Sequence, residues 1–562
     1  MLEGRLWIIL GGVLCTALVA ADAWPQAPLP GTLQPGQIER QFEKFPEPRA
    51  KPAEIRIPDT GQKPPANADA VRFVLSRLTV DGVTVYSTET LRSAYEAFLG
   101  KEVTLAEIYR IANVLSTRYR NDGFILSQVI VPAQAVEDGA VRLQAVEGYI
   151  ANVRVEGEDA ALQERVGRYA EKIRAARPLT AQALERYLLL VNDLPGVSAR
   201  ATLSPATTES GASDLALRLS RRVVTGGLSA DNRGSRAQGP RRFLGDVDAH
   251  SVFGGQSRTG FKFVMTGDEE LRYLSLTHDQ LIGTEGGKFG IAVNLVKSTP
   301  EERSIIPLNL VTDSKTVTLA YSHPVIRSRE QNLYLRGALS TFNSKTEIFG
   351  VQDTDDRVRP LRLGLTYDRS DALGGVNIVD AEFSHGLRAL GASSNGDPFL
   401  SRPNGKVDFS KVTLYAARLQ SLPANWSMLA GVNAQHALTN LLASELFGFG
   451  GEQFGRGYDP SEILGDHGIA LKLELRYGGT LPAQTPTSYA AYGFYDVGKV
   501  RQRTPVPGVD AVQSAASAGL GVRLSLGRQL SGFVELAQPL TRIVGQENDR
   551  NTRTYVGISI RF

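Results

Sequence analysis

The stretch Gly450-Gly451-Glu452-Gln453-Phe454-Gly455-Arg456-Gly457-Tyr458-Asp459-Pro460 sets one arginine among glycines and aromatic rings. Glycine lets the backbone take positive φ and pass close to other atoms, so such a loop can fold back into a narrow space and hold out one side chain. The guanidinium is a planar fork of donors that fits a carboxylate in two bonds, which makes lysine a poor substitute. A candidate carboxylate stands in Phe494-Tyr495-Asp496-Val497-Gly498, where one acid interrupts an apolar and aromatic strand-like run. Strand alternation over 491–498 puts Tyr492, Phe494, Asp496 and Gly498 on one face. The chemistry indicated is a charge-assisted Arg456–Asp496 pair. A dinucleotide fingerprint needs glycines at its first, third and sixth positions; the run from Gly448 has Gln453 at the sixth and no βαβ unit around it.

No other cluster suggests catalysis. The histidines His250, His278, His323, His385, His436 and His467 are scattered without metal-ligand spacing, and no Gly-x-Ser-x-Gly elbow occurs. No metal, cofactor or catalytic residue is expected, and each histidine is expected in a lumen or a loop. A net charge of +3 over 562 residues carries no basic excess of the kind that nucleic-acid binding requires.

The elements that must position the pair follow from the chain in order. Residues 1–23 carry Arg5, an apolar run from Leu6 and the small-residue end Ala21-Asp22-Ala23, the pattern of a signal peptide. Its removal takes away Cys15, the one cysteine, so the mature chain forms no disulfide. No later run of about eighteen apolar residues exists, which excludes a helical membrane protein and leaves a soluble destination or a barrel. Residues 24–69 are a proline-rich leader and linker, with Gln37–Phe45 able to form a short helix before Pro46.

Residues 70–148 read as strand, helix, helix, strand, strand. Ser87 and Thr104 are candidate helix caps, and Phe124-Ile125-Leu126 and Val141–Val146 are candidate strands. The same order repeats over 149–222, so two small α+β modules stand in tandem. From 223 to 562 the texture is short alternating runs between turn residues. Leu471-Lys472-Leu473-Glu474-Leu475-Arg476-Tyr477 puts leucines and tyrosine on one face and three charges on the other, which suits a wall between lipid and a wet lumen. About 340 residues at roughly twenty per strand and turn make about sixteen strands. Tyr555–Phe562 is a strand running to the terminal aromatic. The fold expected is mainly β: an about sixteen-stranded transmembrane β-barrel preceded by two α+β modules.

On these features the chain resembles the outer-membrane transporters of two-partner secretion, the haemolysin secretion/activation proteins, within the POTRA-bearing barrels. The resemblance covers the leader, two POTRA modules, the barrel and the terminal aromatic. Its most specific motif is an Arg-Gly-Tyr or Arg-Gly-Phe loop tip, matched by Arg456, Gly457 and Tyr458; Gly455 stands where valine is usual, a departure expected to loosen the loop. The family's Phe-x-Asp-x-Gly strand motif is matched by Phe494, Asp496 and Gly498.

The resemblance implies an inward loop whose Arg456 meets Asp496; separately, Gln37–Phe45, a short, charged, potentially helical piece on a long tether, is expected to sit in the pore as a removable plug. It further implies a non-enzymatic outer-membrane pore that recognises an unfolded periplasmic client through its POTRA modules and passes it to the cell surface. The implied partners are a large secreted exoprotein of adhesin or haemolysin type, outer-membrane lipid, and the barrel-assembly machinery for the chain's own insertion. The alternative within the superfamily is an assembly and insertion factor, against which two modules and the leader count.

Overall fold

The computed structural model describes residues 29–48, 62–157, 159–206, 209–252, 255–302, 305–481, 487–505 and 508–562. The signal peptide expected over 1–23 lies outside the described residues. In the strand His467–Leu481, Leu471, Leu473, Leu475 and Tyr477 are 37 to 47 % exposed, whereas Glu474 is 2 % exposed. That is the reverse of a soluble strand: the apolar face looks outward and the charged face inward, as lipid on one side and polar neighbours on the other require.

Among the described residues, sixteen antiparallel crossings close into one barrel, from Val224–Asp231 to Arg553–Arg561. Closure satisfies every edge, the condition for strands to cross a bilayer. The eighth crossing is made of Val351–Val358 and Pro360–Ser370, both paired to Gln331–Ile348 and broken at Arg359. At the seam, Gly557–Arg561 pairs with Asp231–Gly227, and the terminal Phe562 amide donates to the Gly226 carbonyl at 3.0 Å. Outward aromatic rings gather at the end nearest the α+β modules, with Trp426 5.1 Å from Tyr477 and Tyr477 6.3 Å from Tyr489.

The first module buries Leu115, Tyr119 and Leu143 between the helix Leu105–Asn121 and the sheet ordered Arg77–Asp81, Ala140–Val146, Gln128–Ile130. Thr104 and Glu107 form a reciprocal capping box at the start of that helix, and the Ser87 hydroxyl accepts from the Thr90 amide. Both caps fall where short hydroxyl side chains precede apolar helical runs. The second module repeats the plan, with Ala160–Ala175 and Ala181–Asn192 packed on Tyr149–Glu156, Ala212–Arg221 and Val197–Pro205. At their junction Glu147 accepts from the Thr84 amide and the Tyr119 hydroxyl, both at 2.8 Å. Burial pushes that carboxyl up, but these bonds outweigh burial and hold it below the usual range.

The second module also grips the barrel's turns. Arg327 makes two 2.7 Å bonds to Asp193, Tyr187 donates to Glu285 at 3.0 Å, and Tyr169 donates to Gln256 at 3.2 Å. These contacts mark which rim of the barrel faces the modules.

Three expectations are corrected. Phe124-Ile125-Leu126 is a helix-exit turn, and the strand is Gln128–Ile130; the Phe124 ring packs edge-on at 6.0 Å against Tyr119, so this apolar run is a core anchor without strand alternation. The leader helix spans Gln37–Arg40 and does not continue to Phe45. Phe42 packs 5.0 Å from Tyr273, while Phe45 stacks 4.6 Å from Tyr415, six crossings away around the ring. A continued helix would put both rings on one face, one turn apart. Finally, His278, His323, His385, His436 and His467 share the outward parity of their strands' lipid-facing side chains.

Candidate functional site

Residues 438–466 join the crossings Trp426–Ala437 and His467–Leu481 at the rim far from the modules, and they fold back into the lumen. Inside, Phe447–Phe449 pairs with Ile463–Gly465 as a small hairpin. Phe447, Phe449, Phe454, Tyr458 and Ile463 pack with wall residues including Tyr415, Ala470 and Val500. Burying this apolar face anchors the loop against the wall without enclosing it in a conventional core.

Arg456 sits at the loop's inner tip, 4 % exposed. Its Nε donates to Asp496 Oδ2 at 2.9 Å and its Nη2 to Oδ1 at 3.0 Å, a bidentate pair, and its backbone amide adds a third bond at 3.1 Å. Its Nη1 contacts Glu474 and lies 3.8 Å from Glu535. The guanidinium carbon sits 3.6 Å above the centre of the Phe494 ring, a cation–π contact on the same strand face as the acid.

Gly455 does not loosen this loop. At φ +88° its amide donates to Asp496 Oδ2 at 3.1 Å, and a Cβ there would come 2.7 Å from Phe449. Gly498 acts by close approach: a Cβ would meet Phe449 at 2.2 Å. Gly457 packs against Ser517 and Pro539, and the Tyr458 hydroxyl donates to the Ala516 carbonyl at 3.0 Å and accepts from the Arg542 amide at 3.2 Å. The structure therefore brings together Arg456, Gly457, Tyr458, Phe494, Asp496 and Gly498.

Five charged groups around the pair, Glu474, Arg476, Arg523, Glu535 and Arg233, were not singled out as site residues from the sequence. Glu474 also accepts from Arg476 at 2.7 Å and Arg523 at 2.8 Å, and Glu535 accepts from Arg233 and Tyr492, both at 2.9 Å. Arg523 in turn lies 3.8 Å over the Tyr492 ring. The inward parity of Glu474 was readable in the alternation of Leu471–Tyr477; its closeness to Arg456 was not, because that depends on where a loop ends.

A second ionic cluster holds the loop's base with the opposite polarity. Glu445 accepts from Arg362 at 2.7 Å and pairs with Lys411 at 2.7 Å, both on the wall, and lies 3.4 Å from Arg40 of the leader. Lys411 further donates to the Glu445 carbonyl at 2.9 Å.

The leader passes through the lumen beside this loop. At the rim far from the modules, Leu33 packs with Ala237, Ile305 and Leu310, and Thr32 is held by Gln238 at 2.8 Å and Gln546 at 3.0 Å. Deeper in, Gln37 donates to the Ala443 carbonyl at 2.9 Å and accepts from Ser461 at 3.0 Å, and Arg40 contacts the Leu446 carbonyl. Glu39 reaches the opposite wall, accepting from Thr316 at 2.8 Å. The Phe45 amide donates to Gln453 at 3.1 Å. A cavity of about 400 Å³ remains between leader, loop and wall, lined by Arg40, Arg362, Lys411 and Gln453 among others.

Sequence comparison places a POTRA domain of ShlB type on residues 73–148 and the haemolysin secretion/activation protein ShlB/FhaC/HecB on residues 211–524. The chain is 24 % identical over 553 residues to the heme/hemopexin transporter protein HuxB of Haemophilus influenzae, covering 95 % of this chain and 94 % of that one. It is 21 % identical over 415 residues to the outer membrane transporter CdiB of Dickeya dadantii, covering 72 % of each. Among solved structures, CdiB from Escherichia coli is similar in fold, with a TM-score of 0.72, 19 % identity and coverage of 90 % of this chain and 93 % of that one.

Proposed function

This chain belongs to the haemolysin secretion/activation protein family and is an outer-membrane transporter of two-partner secretion; from that premise we propose that its pore is gated by residues 29–48 and that the loop 438–466 is the fixed part against which the gate closes. The POTRA modules lie in the periplasm and the partner is a secreted exoprotein. The exoprotein docks on the modules as an extended chain, because strand addition to a sheet edge recruits main-chain hydrogen bonds regardless of client fold. It then moves through the lumen once the leader has withdrawn.

The observation that carries this reading is the placement of the leader. Its contacts run from Thr32 at the far rim through Gln37, Glu39 and Arg40 to Phe45 against Tyr415, and they are hydrogen bonds, apolar and ring contacts and the Arg40–Glu445 ion pair, made by a segment that is not itself a strand of the wall. Arg456, by contrast, is bound to the wall through several buried partners. Arg456, Gly457, Tyr458, Phe494, Asp496 and Gly498 act here as a loop anchor, with no chemical step on the client and no enzymatic activity. Outer-membrane lipid surrounds the barrel, and the barrel-assembly machinery inserts it.

Deleting residues 29–48 from the full chain and measuring planar-bilayer conductance alongside secretion tests the reading. The expected result is a several-fold rise in conductance with secretion retained. Unchanged conductance overturns the gate.

A further inference from the structure

We propose that His436, His467, Lys499 and Arg501 form an outward-facing site for the phosphate groups of an anionic glycolipid in the outer leaflet. The site lies on three neighbouring crossings, Trp426–Ala437, His467–Leu481 and Thr487–Arg501. The outward parity is set by the side chains below it: Ile469, Leu471 and Tyr495 are 46 to 47 % exposed on the same faces. His467 stands directly opposite Arg501 in the ladder, and Ile469 opposite Lys499. The two imidazole rings are 4.7 Å apart and tilted by 48°. The Ala437 amide donates to His467 Nδ1 at 3.4 Å, which leaves Nε2 as that ring's donor.

Height places the site at lipid headgroups. Trp426 belongs to the aromatic girdle near the modules, and His436 lies ten residue steps further along the same strand. At about 3.3 Å per residue and a tilt of about 40°, this is a rise of roughly 25 Å, the height of the apolar band of such barrels. His436 and its neighbours therefore begin where hydrocarbon ends, on the side away from the periplasmic modules. Across three strands at about 4.8 Å spacing, the cluster spans roughly 10 Å, wide enough to engage more than one phosphate oxygen at once.

Charge distinguishes this arc from the rest of the rim. Elsewhere on this rim outward cations stand beside carboxylates: Lys345 meets Glu347 at 2.6 Å, Arg357 meets Asp355 at 3.9 Å, Arg272 contacts Glu269, and Lys297, which makes no ion pair among the described residues, stands directly opposite Asp313, with Lys315 two residues further along that strand. Lys499 and Arg501 have no ion-pair or hydrogen-bond partner among the described residues. The one carboxylate in the following turn, Asp510, is exposed and in ion-pair contact with neither. Asp466, beside His467 in sequence, points inward to Arg402 at 2.8 Å. Unpaired cations bordering hydrocarbon gain most from anions fixed at the same depth, and a lipid phosphate is held there by its own acyl chains.

The test titrates fluorescent lipopolysaccharide onto the full chain in detergent, using native lipopolysaccharide, the same material dephosphorylated enzymatically, and inorganic phosphate as competitor. The quadruple variant H436Q/H467Q/K499Q/R501Q is expected to raise the half-saturation concentration at least tenfold, while R272Q/K345Q/R357Q changes it less than twofold. Dephosphorylated lipid should bind the unsubstituted chain as weakly as native lipid binds the quadruple variant, and inorganic phosphate should not displace it. The gel shift between unboiled and boiled samples verifies folding; if the quadruple variant lacks it, K499Q/R501Q is read in its place, with at least a threefold loss. Equal binding by the variant, equal loss in the distant triple variant, or displacement by inorganic phosphate overturns the proposal.

Discussion

The inward loop meets the barrel wall at two ionic clusters of opposite polarity. At the tip a loop cation, Arg456, is surrounded by the wall carboxylates of Asp496, Glu474 and Glu535, and the side chains of Arg456, Asp496 and Glu474 are at most 4 % exposed. At the base a loop acid, Glu445, faces the wall cations Arg362 and Lys411 together with Arg40 of the leader, whose side chain is 27 % exposed. Among the described residues the Arg456 cluster has no leader residue as an ionic partner, although the neighbouring Gln453 and Phe454 meet Phe45 of the leader; the base cluster includes a leader charge. Burial and partner identity thus divide one loop into a part that holds and a part that can sense whether the leader is present.

The comparison can be broken most forcefully at the tip. Arg456→Ala leaves the buried Asp496 without a cation and takes one partner from Glu474 and Glu535, which keep Arg476, Arg523 and Arg233; loss of one partner from a buried pair costs about 3–5 kcal/mol. Secretion is expected to fall at least tenfold while the barrel still shows its boiled-to-unboiled gel shift. Retained secretion would mean that the loop is held without this cluster.

Asp496→Ala should be milder, because Glu474 still contacts the guanidinium and the Phe494 ring remains beneath it. A simple two-residue bridge predicts equal effects from either end, so the ratio of the two single losses in one secretion assay measures how far the cluster is shared. The double variant is expected to match Arg456→Ala alone, the non-additivity of residues in direct contact.

At the base, Glu445→Gln leaves Lys411 without its carboxylate, leaves Arg362 only Glu382 at 3.7 Å, and removes the leader's ionic partner. The expected outcome is a pore that opens more often in planar bilayers yet still secretes at more than half the normal level. A secretion loss equal to that of Arg456→Ala would erase the distinction between the two clusters.

Arg40→Ala is the finest probe. A 3.4 Å pair with one partly exposed partner contributes about 1 kcal/mol or less, so open-state occupancy should rise by up to about fivefold with no change in the amount of folded barrel. A larger rise would assign the leader's hold to Arg40 itself, through its contact with the Leu446 carbonyl.

Local regularities made much of this legible from residues alone. The alternation in Leu471–Tyr477 points its leucines to one side whatever the barrel's size, since successive strand side chains oppose each other by geometry. Thr104 announced a helix start because a hydroxyl cap is a local signal, and the structure adds Glu107 as its reciprocal partner in a capping box. Asp496 was conspicuous as a lone acid among apolar neighbours, and Arg456 as a lone cation in a glycine-rich loop.

What only the tertiary structure decided is everything that depends on register and passage through the lumen. Glu474 and Glu535 point inward by parity, but their convergence on Arg456 required sixteen strands to close with a particular stagger. The leader's helix stops at Arg40 because Phe42 and Phe45 find aromatic partners on well-separated parts of the wall, a competition with no trace in Gln37–Phe45. The ladder likewise sets His436 against His467, 31 residues apart in sequence and 4.7 Å apart between rings. Local geometry determined which face each side chain takes; only closure of the ring determined which faces meet.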